Sequence, residues 1–186
     1  FASSLLARTG KAVIVEPGGD AIGRRRIDTH LHVFTALGAR LKIRKDLSPD
    51  STDTLYELTA PRGLKGADIF LDEASVTGTE NAIIAAAGAK GTTTIANAAS
   101  EPHVQGICRL LQKLTIIGGI KPEKTTHVLG GDYIEAGSLS GLAASTKSDM
   151  VISGVDVSVM RMILFQFARL GIKVESNAEN NSFYVK

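Results

Sequence analysis

Along the chain, short β-branched runs alternate with stretches whose apolar residues recur at helical spacing. Lys11-Ala12-Val13-Ile14-Val15 reads as a strand, and a glycine-rich loop follows it. Ile27, Leu31, Phe34 and Leu37 then fall on one helical face until Gly38 ends the helix. Ala39 to Ile43 alternates as a strand does, and Thr54–Leu58 with Ala67–Leu71 forms a hairpin-like region. An alanine-rich helix follows Ser75–Glu80, with Thr77 or Thr79 as its cap, and ends near Gly91. Further helices are expected from about Pro102 to Leu114 and from about Val157 to Leu170.

The later elements repeat. Ala89–Asn97 precedes one helix as Thr146–Gly154 precedes another, and Lys90 and Lys147 stand 57 positions apart. The strand, loop and helix of Gly10–Gly38 follow the same order with a longer loop. Units that cannot bury their apolar faces singly point to an internally symmetric α/β (α+β) fold. One join departs from the pattern: Leu110–Leu114 runs from a helix straight into Thr115–Ile120, where the other units place a turn and a strand. Either the chain is shortened there or a segment is absent, and the second is the expectation.

Composition narrows the function classes. Of the 186 residues, 44% are hydrophobic, ample for a packed core. A net charge of +2 with 22% charged residues gives no single-sign field suited to nucleic acid or an anionic membrane. Cys108 is the single cysteine, which excludes an intramolecular disulfide and suits a reducing compartment; no apolar run reaches the ~20 residues of a membrane span. A cytoplasmic setting is therefore expected. The first residue is Phe1, without an initiator methionine or a basic signal-peptide start, and the last five fall inside a strand pattern, so the chain is expected to be part of a longer one.

Candidate chemistry concentrates in PGGDAIGRRRIDTH, residues 17–30. Its glycines allow unusual backbone angles and a close ligand approach, and the helix after it aims free N–H groups back at the loop. Arg24, Arg25 and Arg26 add directional donors for phosphate or carboxylate. The same residues equally describe a solvated basic loop with Asp20 as a turn residue or ion-pair partner. Leu71–Asn81 offers a second helix start rich in hydroxyls, either a phosphate site or an ordinary N-cap. Glu101, Asp132 and Glu135 sit where acids favour helix starts. His30, His32, His103 and His127 lack metal-ligand spacing, so no metal is expected, and Cys108 falls on the apolar side of its helix, in the core.

Together PGGDAIGRRRIDTHL, LKGADIFLDEASVTGTENAIIAAAGAKGTTTIANAASEPHVQ and LGGDYIEAGSLSGLAA resemble the successive motifs of the UDP-N-acetylglucosamine 1-carboxyvinyltransferase family over nearly the whole chain. The resemblance implies two inside-out α/β barrel lobes of βαβαββ repeats. Residues 1–131 would be part of the first lobe, with a mobile catalytic loop at about 16–26, and 132–186 the start of the second. It implies transfer of an enolpyruvyl group from phosphoenolpyruvate to the 3-hydroxyl of UDP-N-acetylglucosamine, with release of phosphate, in the first committed step of peptidoglycan synthesis. No cofactor, nucleic acid or membrane partner is implied. Asp20 stands where the family's loop carries a cysteine, which some members replace by aspartate, and is expected to be the general acid. Arg25 matches the arginine beside phosphoenolpyruvate. Arg25, Arg26, Ile27, Asp28 and Thr29 match one stretch lining the sugar-nucleotide site; Glu73, Ala74, Ser75 and Val76 match the second, with Thr77 and Gly78 near the diphosphate. Arg26 departs from the usual proline, and Glu101 and Asp132 match acids of the cleft. Other family residues have no counterpart in the chain, so it is not expected to turn over alone. The alternatives are an enzyme acting on shikimate 3-phosphate and a noncatalytic relative that binds UDP-sugars.

Overall fold

The computed structural model describes residues 1–16, 18, 26–46, 53–113, 124 and 126–185, which divide into two compact units, residues 1–126 and 127–186.

The first unit opens with α1 (Ala2–Thr9), β1 (Lys11–Val15), α2 (Asp28–Ala36), β2 (Arg40–Lys45) and β3 (Thr54–Thr59). Gly10 turns α1 into β1 at φ 71, a backbone angle that favours glycine, and its N–H closes the helix on the Leu6 carbonyl. The strands pair antiparallel in the order β1-β3-β2, with Ala12 and Leu41 flanking Leu58. Alternation turns Leu58 inward, fully buried, while Glu57 faces outward and takes Lys11 Nζ at 3.0 Å.

Next come β4 (Asp68–Phe70), α3 (Val76–Ala87), β5 (Thr94–Ala96) and α4 (Pro102–Lys113). The hairpin expected between Thr54–Leu58 and Ala67–Leu71 does not form: β3 is taken up by β1 and β2, and β4 pairs in parallel with β5 across the intervening helix. Local turn signals do not say which strand a run will pair with. Leu6, Val33, Phe34, Leu37, Leu58 and Leu71 form a core against which the small residues Ala82 and Ala85 of α3 let the helix lie close. Cys108, expected in the core, is half-buried. The join after Leu114 lies outside the described residues.

The second unit contains α5 (Tyr133–Thr146), β6 (Met150–Ser153), a 3-10 turn (Val157–Met160), α6 (Arg161–Arg169), β7 (Val174–Asn177) and β8 (Ser182–Val185). The long helix expected from Val157 is split, because Asp156 accepts from Ser158 N at 2.8 Å and sets a tight first turn before α6. Its sheet has the order β6-β8-β7, the same first-third-second arrangement as β1-β3-β2. The 57-residue offset also relates α3 to α5 at their first residues, Val76 and Tyr133, and their N-caps, Ser75 and Asp132. Met160, Phe183 and Val185 are buried at the centre of this unit. Among the described residues no helix is long and apolar enough to cross a membrane.

Candidate functional site

In the first unit the starts of α2 and α3 come together. Ser75, not Thr77 or Thr79, caps α3: it has extended backbone angles and its Oγ accepts from Gly78 N at 3.1 Å. Thr79 instead turns inward, donating to the Ser75 carbonyl and accepting from Ala99 N at 2.9 Å. Gly78 permits a close approach, since a Cβ there would stand 3.1 Å from both Thr29 Cγ2 and Ser75 Oγ and would push on them. Thr29, fully buried in the first turn of α2, donates from Oγ1 to Asp72 Oδ1 at 2.7 Å.

Around this junction lies an ion cluster. The Arg26 guanidinium donates to Asp28 from Nε and Nη2, at 3.0 and 2.5 Å, and to Asp72 from Nη2. Its Nη1 stands 3.7 Å from Glu73 Oε2. Three carboxylates around one cation leave the cluster net negative. Arg26, one of the three arginines expected to meet a phosphate, is thus occupied by the chain's own acids, while Arg24 and Arg25 lie outside the described residues. The bond to Asp28 raises the Arg26 pKa, and the Thr29 hydroxyl first, then Arg26, lowers that of Asp72. All these side chains are more than a third exposed, so solvent screens the attraction.

Beside the cluster runs a neutral chain of hydrogen bonds. Ser3 Oγ donates to Asn81 Oδ1 at 2.8 Å, Asn81 Nδ2 meets His30 Nδ1 at 2.7 Å, and His30 Nε2 lies 3.4 Å from Thr77 Oγ1. Burial lowers the His30 pKa against the opposing pull of Glu73 and Asp28. Three helices, α1, α2 and α3, therefore contribute to one polar line ending at the exposed Thr77.

Comparison with known proteins places this architecture. Residues 2–186 match the sequence model of the EPSP synthase (3-phosphoshikimate 1-carboxyvinyltransferase) family. The chain belongs to that family. Within it, the chain is 50% identical over 184 residues to the UDP-N-acetylglucosamine 1-carboxyvinyltransferase of Treponema denticola, covering 92% of this chain and 41% of that protein. It is 45% identical over 188 residues to the enzyme of the same name from Bacteroides thetaiotaomicron, covering 95% and 42%. The chain thus spans about two fifths of the length of these curated relatives. Among solved structures, the enolpyruvyl transferase NikO from Streptomyces tendae matches at a TM-score of 0.72 and 18% identity, over 98% of this chain and 45% of that one. EPSP synthase from Acinetobacter baumannii matches at 0.65 and 18%, over 99% and 44%. The fold is the α/β fold of the enolpyruvyl transferases.

Of the residues expected from the family motifs, the structure brings Arg26, Ile27, Asp28 and Thr29 to Glu73, Ala74, Ser75, Val76, Thr77 and Gly78, at the facing starts of α2 and α3. Asp20 and Arg25 lie outside the described residues. Glu101 precedes α4, its carbonyl accepting from Gln105 N, and its Oε2 is buried with no hydrogen-bond partner among the described residues. Asp132 caps α5, accepting from Ile134 N at 2.8 Å and Glu135 N at 3.2 Å. Among the described residues no three His, Cys, Asp or Glu side chains form a metal group. Sequence reasoning gave no site role to Asp72, His30, Asn81 or Ser3, although the first three fall inside segments it singled out. A signal existed for Asn81, which stands four residues after Thr77 on the same helical face.

Proposed function

We propose that the protein to which this chain belongs transfers the enolpyruvyl group of phosphoenolpyruvate to the 3-hydroxyl of UDP-N-acetylglucosamine, releasing phosphate, in the first committed step of peptidoglycan synthesis. The observation that carries this reading is 41–50% identity, over nearly all of the chain, to proteins named for that reaction. In support, the two stretches expected to line the sugar nucleotide, 26–29 and 73–78, lie together at two helix starts, although the motifs are more than 40 residues apart.

In this reading Asp20 gives a proton to the methylene carbon of phosphoenolpyruvate while the sugar 3-oxygen, giving up its hydroxyl proton, bonds to the neighbouring carbon. Loss of phosphate together with a proton from the new methyl group then restores the double bond. Arg25 stabilises the charge of the tetrahedral intermediate. Residues 26–29 and 73–76 hold the sugar nucleotide, with Thr77 and Gly78 near its diphosphate, where the free N–H groups of α3 favour an anion. Glu101 and Asp132 match acids of the family's cleft. The donor role requires a protonated carboxyl, a form that burial beside anionic substrates would favour and that neighbouring arginines would oppose unless ligand phosphate neutralises them. Residues 1–131 form part of the first inside-out barrel lobe and 132–186 begin the second, in an enzyme of the cytoplasm, where both substrates are made.

The description of the matching family favours a second acceptor, shikimate 3-phosphate. Phosphate release by the full-length protein, with phosphoenolpyruvate and the two acceptors in competition, separates them. Release with UDP-N-acetylglucosamine alone is expected; release with shikimate 3-phosphate alone overturns the reading, and release with neither leaves a noncatalytic binder.

A further inference from the structure

We propose that His30 is a positioning residue for Thr77, turning the Thr77 hydroxyl proton toward the anionic ligand at the start of α3. The inference rests on the reading of that site as the sugar-nucleotide site, and it assigns a role to three residues, Ser3, Asn81 and His30, outside the stretches 25–29 and 73–78 expected to line it.

The argument is one of hydrogen-bond direction. Ser3 is buried, and its hydroxyl donates to Asn81 Oδ1, which turns the amide so that Nδ2 faces His30 Nδ1 at 2.7 Å. A ring nitrogen that accepts carries no proton, so the neutral imidazole holds its single proton on Nε2. Nε2 then donates to Thr77 Oγ1, 3.4 Å away. An oxygen receiving that proton keeps its own O–H free to point elsewhere. Thr77 lies in the first turn of α3 on the exposed side and makes no other side-chain hydrogen bond among the described residues. Its O–H and the first N–H groups of the helix, those of Val76 and Thr77 ahead of the capped Gly78 N–H, can therefore converge on one anion. With the opposite tautomer, Nε2 would accept the Thr77 O–H, and Thr77 Oγ1 would turn only lone pairs to the ligand. The observed amide orientation, with Oδ1 on the Ser3 hydroxyl and Nδ2 on His30 Nδ1, selects against it.

The test uses the full-length protein and its calorimetric dissociation constant for UDP-N-acetylglucosamine. Thr77→Val is expected to weaken binding about tenfold, the scale of one hydrogen bond to a charged group. His30→Ala should weaken it similarly, and the double variant should be no weaker than either single one. His30→Gln, which can accept from Asn81 and donate to Thr77, should recover most of the affinity, a recovery that a space-filling role does not predict. If His30→Ala fails to fold, His30→Asn replaces it, since its shorter amide fills space without reaching Thr77. Multiplying effects in the double variant, no recovery with Gln, or wild-type binding by Thr77→Val would each overturn the positioning role while leaving the site reading intact. A wild-type protein that does not bind the sugar nucleotide at all overturns the reading itself.

Discussion

A carboxylic acid at position 20 can donate a proton only while protonated, whereas an amide there cannot donate one as an acid at any working pH. Asp20→Asn should therefore lower phosphate release by at least about 100-fold, the low end for a lost general acid, with the dissociation constant for UDP-N-acetylglucosamine nearly unchanged. Retained turnover rejects the role. Because a carboxylate is a much poorer nucleophile than a thiolate, the wild-type protein should resist fosfomycin, and Asp20→Cys should keep turnover and acquire a covalent adduct detectable by mass spectrometry. His30 makes a different prediction, about stability. Its folded pKa is lowered, chiefly by burial, although Glu73 and Asp28 facing it pull the other way and the N-terminal ammonium adds to the lowering. Between the ordinary value near 6.5 and the lower folded value, the unfolded chain binds more protons, so stability falls as pH falls through that window. His30→Gln should flatten that part of a thermal-unfolding profile, and an unchanged slope would contradict it.

Helix starts carry most of the candidate site, and they were unevenly legible. The hydroxyl-rich run Ser75–Thr79 marks a helix N-terminus plainly, yet which hydroxyl caps it depends on backbone angles that the run does not encode: Ser75 takes the extended conformation and Thr79 turns to the core. Ser75→Ala should lower stability by about 1 kcal/mol in chemical denaturation, while the same change at Thr77, which caps nothing, should leave stability nearly unaltered. The repeat was legible because a 57-residue offset preserves apolar spacing, and it extends to the caps Ser75 and Asp132. Strand partners were not: β3 and β4 are neighbours in sequence but belong to different sheets, a matter of topology beyond local pattern. The cluster around Arg26 was hidden for a related reason. Asp72 and Glu73 reach it only because Thr29 and Gly78 pack α2 against α3, 46 positions separating Arg26 from Asp72.

At the scale of the whole chain, the two units bury separate cores. Phe34 with Leu6 and Leu58 fills the first, and Phe183 with Met160 and Val185 fills the second, with no residue common to both clusters. Truncating a buried phenylalanine removes apolar contact and leaves a cavity, at a cost of about 3–5 kcal/mol, and a loss of that size approaches the whole stability of a marginal domain. The cost should stay in the core that contains the cavity, because each sheet draws its strands from a single unit. Phe183→Ala in the full-length protein should therefore speed amide hydrogen exchange in β6 and β8, where Phe183 pairs with Ile152, and leave β1 and β3 protected. Phe34→Ala should do the reverse. Exchange read by mass spectrometry at peptide resolution is sufficient. If either variant accelerated both sheets equally, the units would open as one cooperative body, and their separate cores would not be separate units of stability.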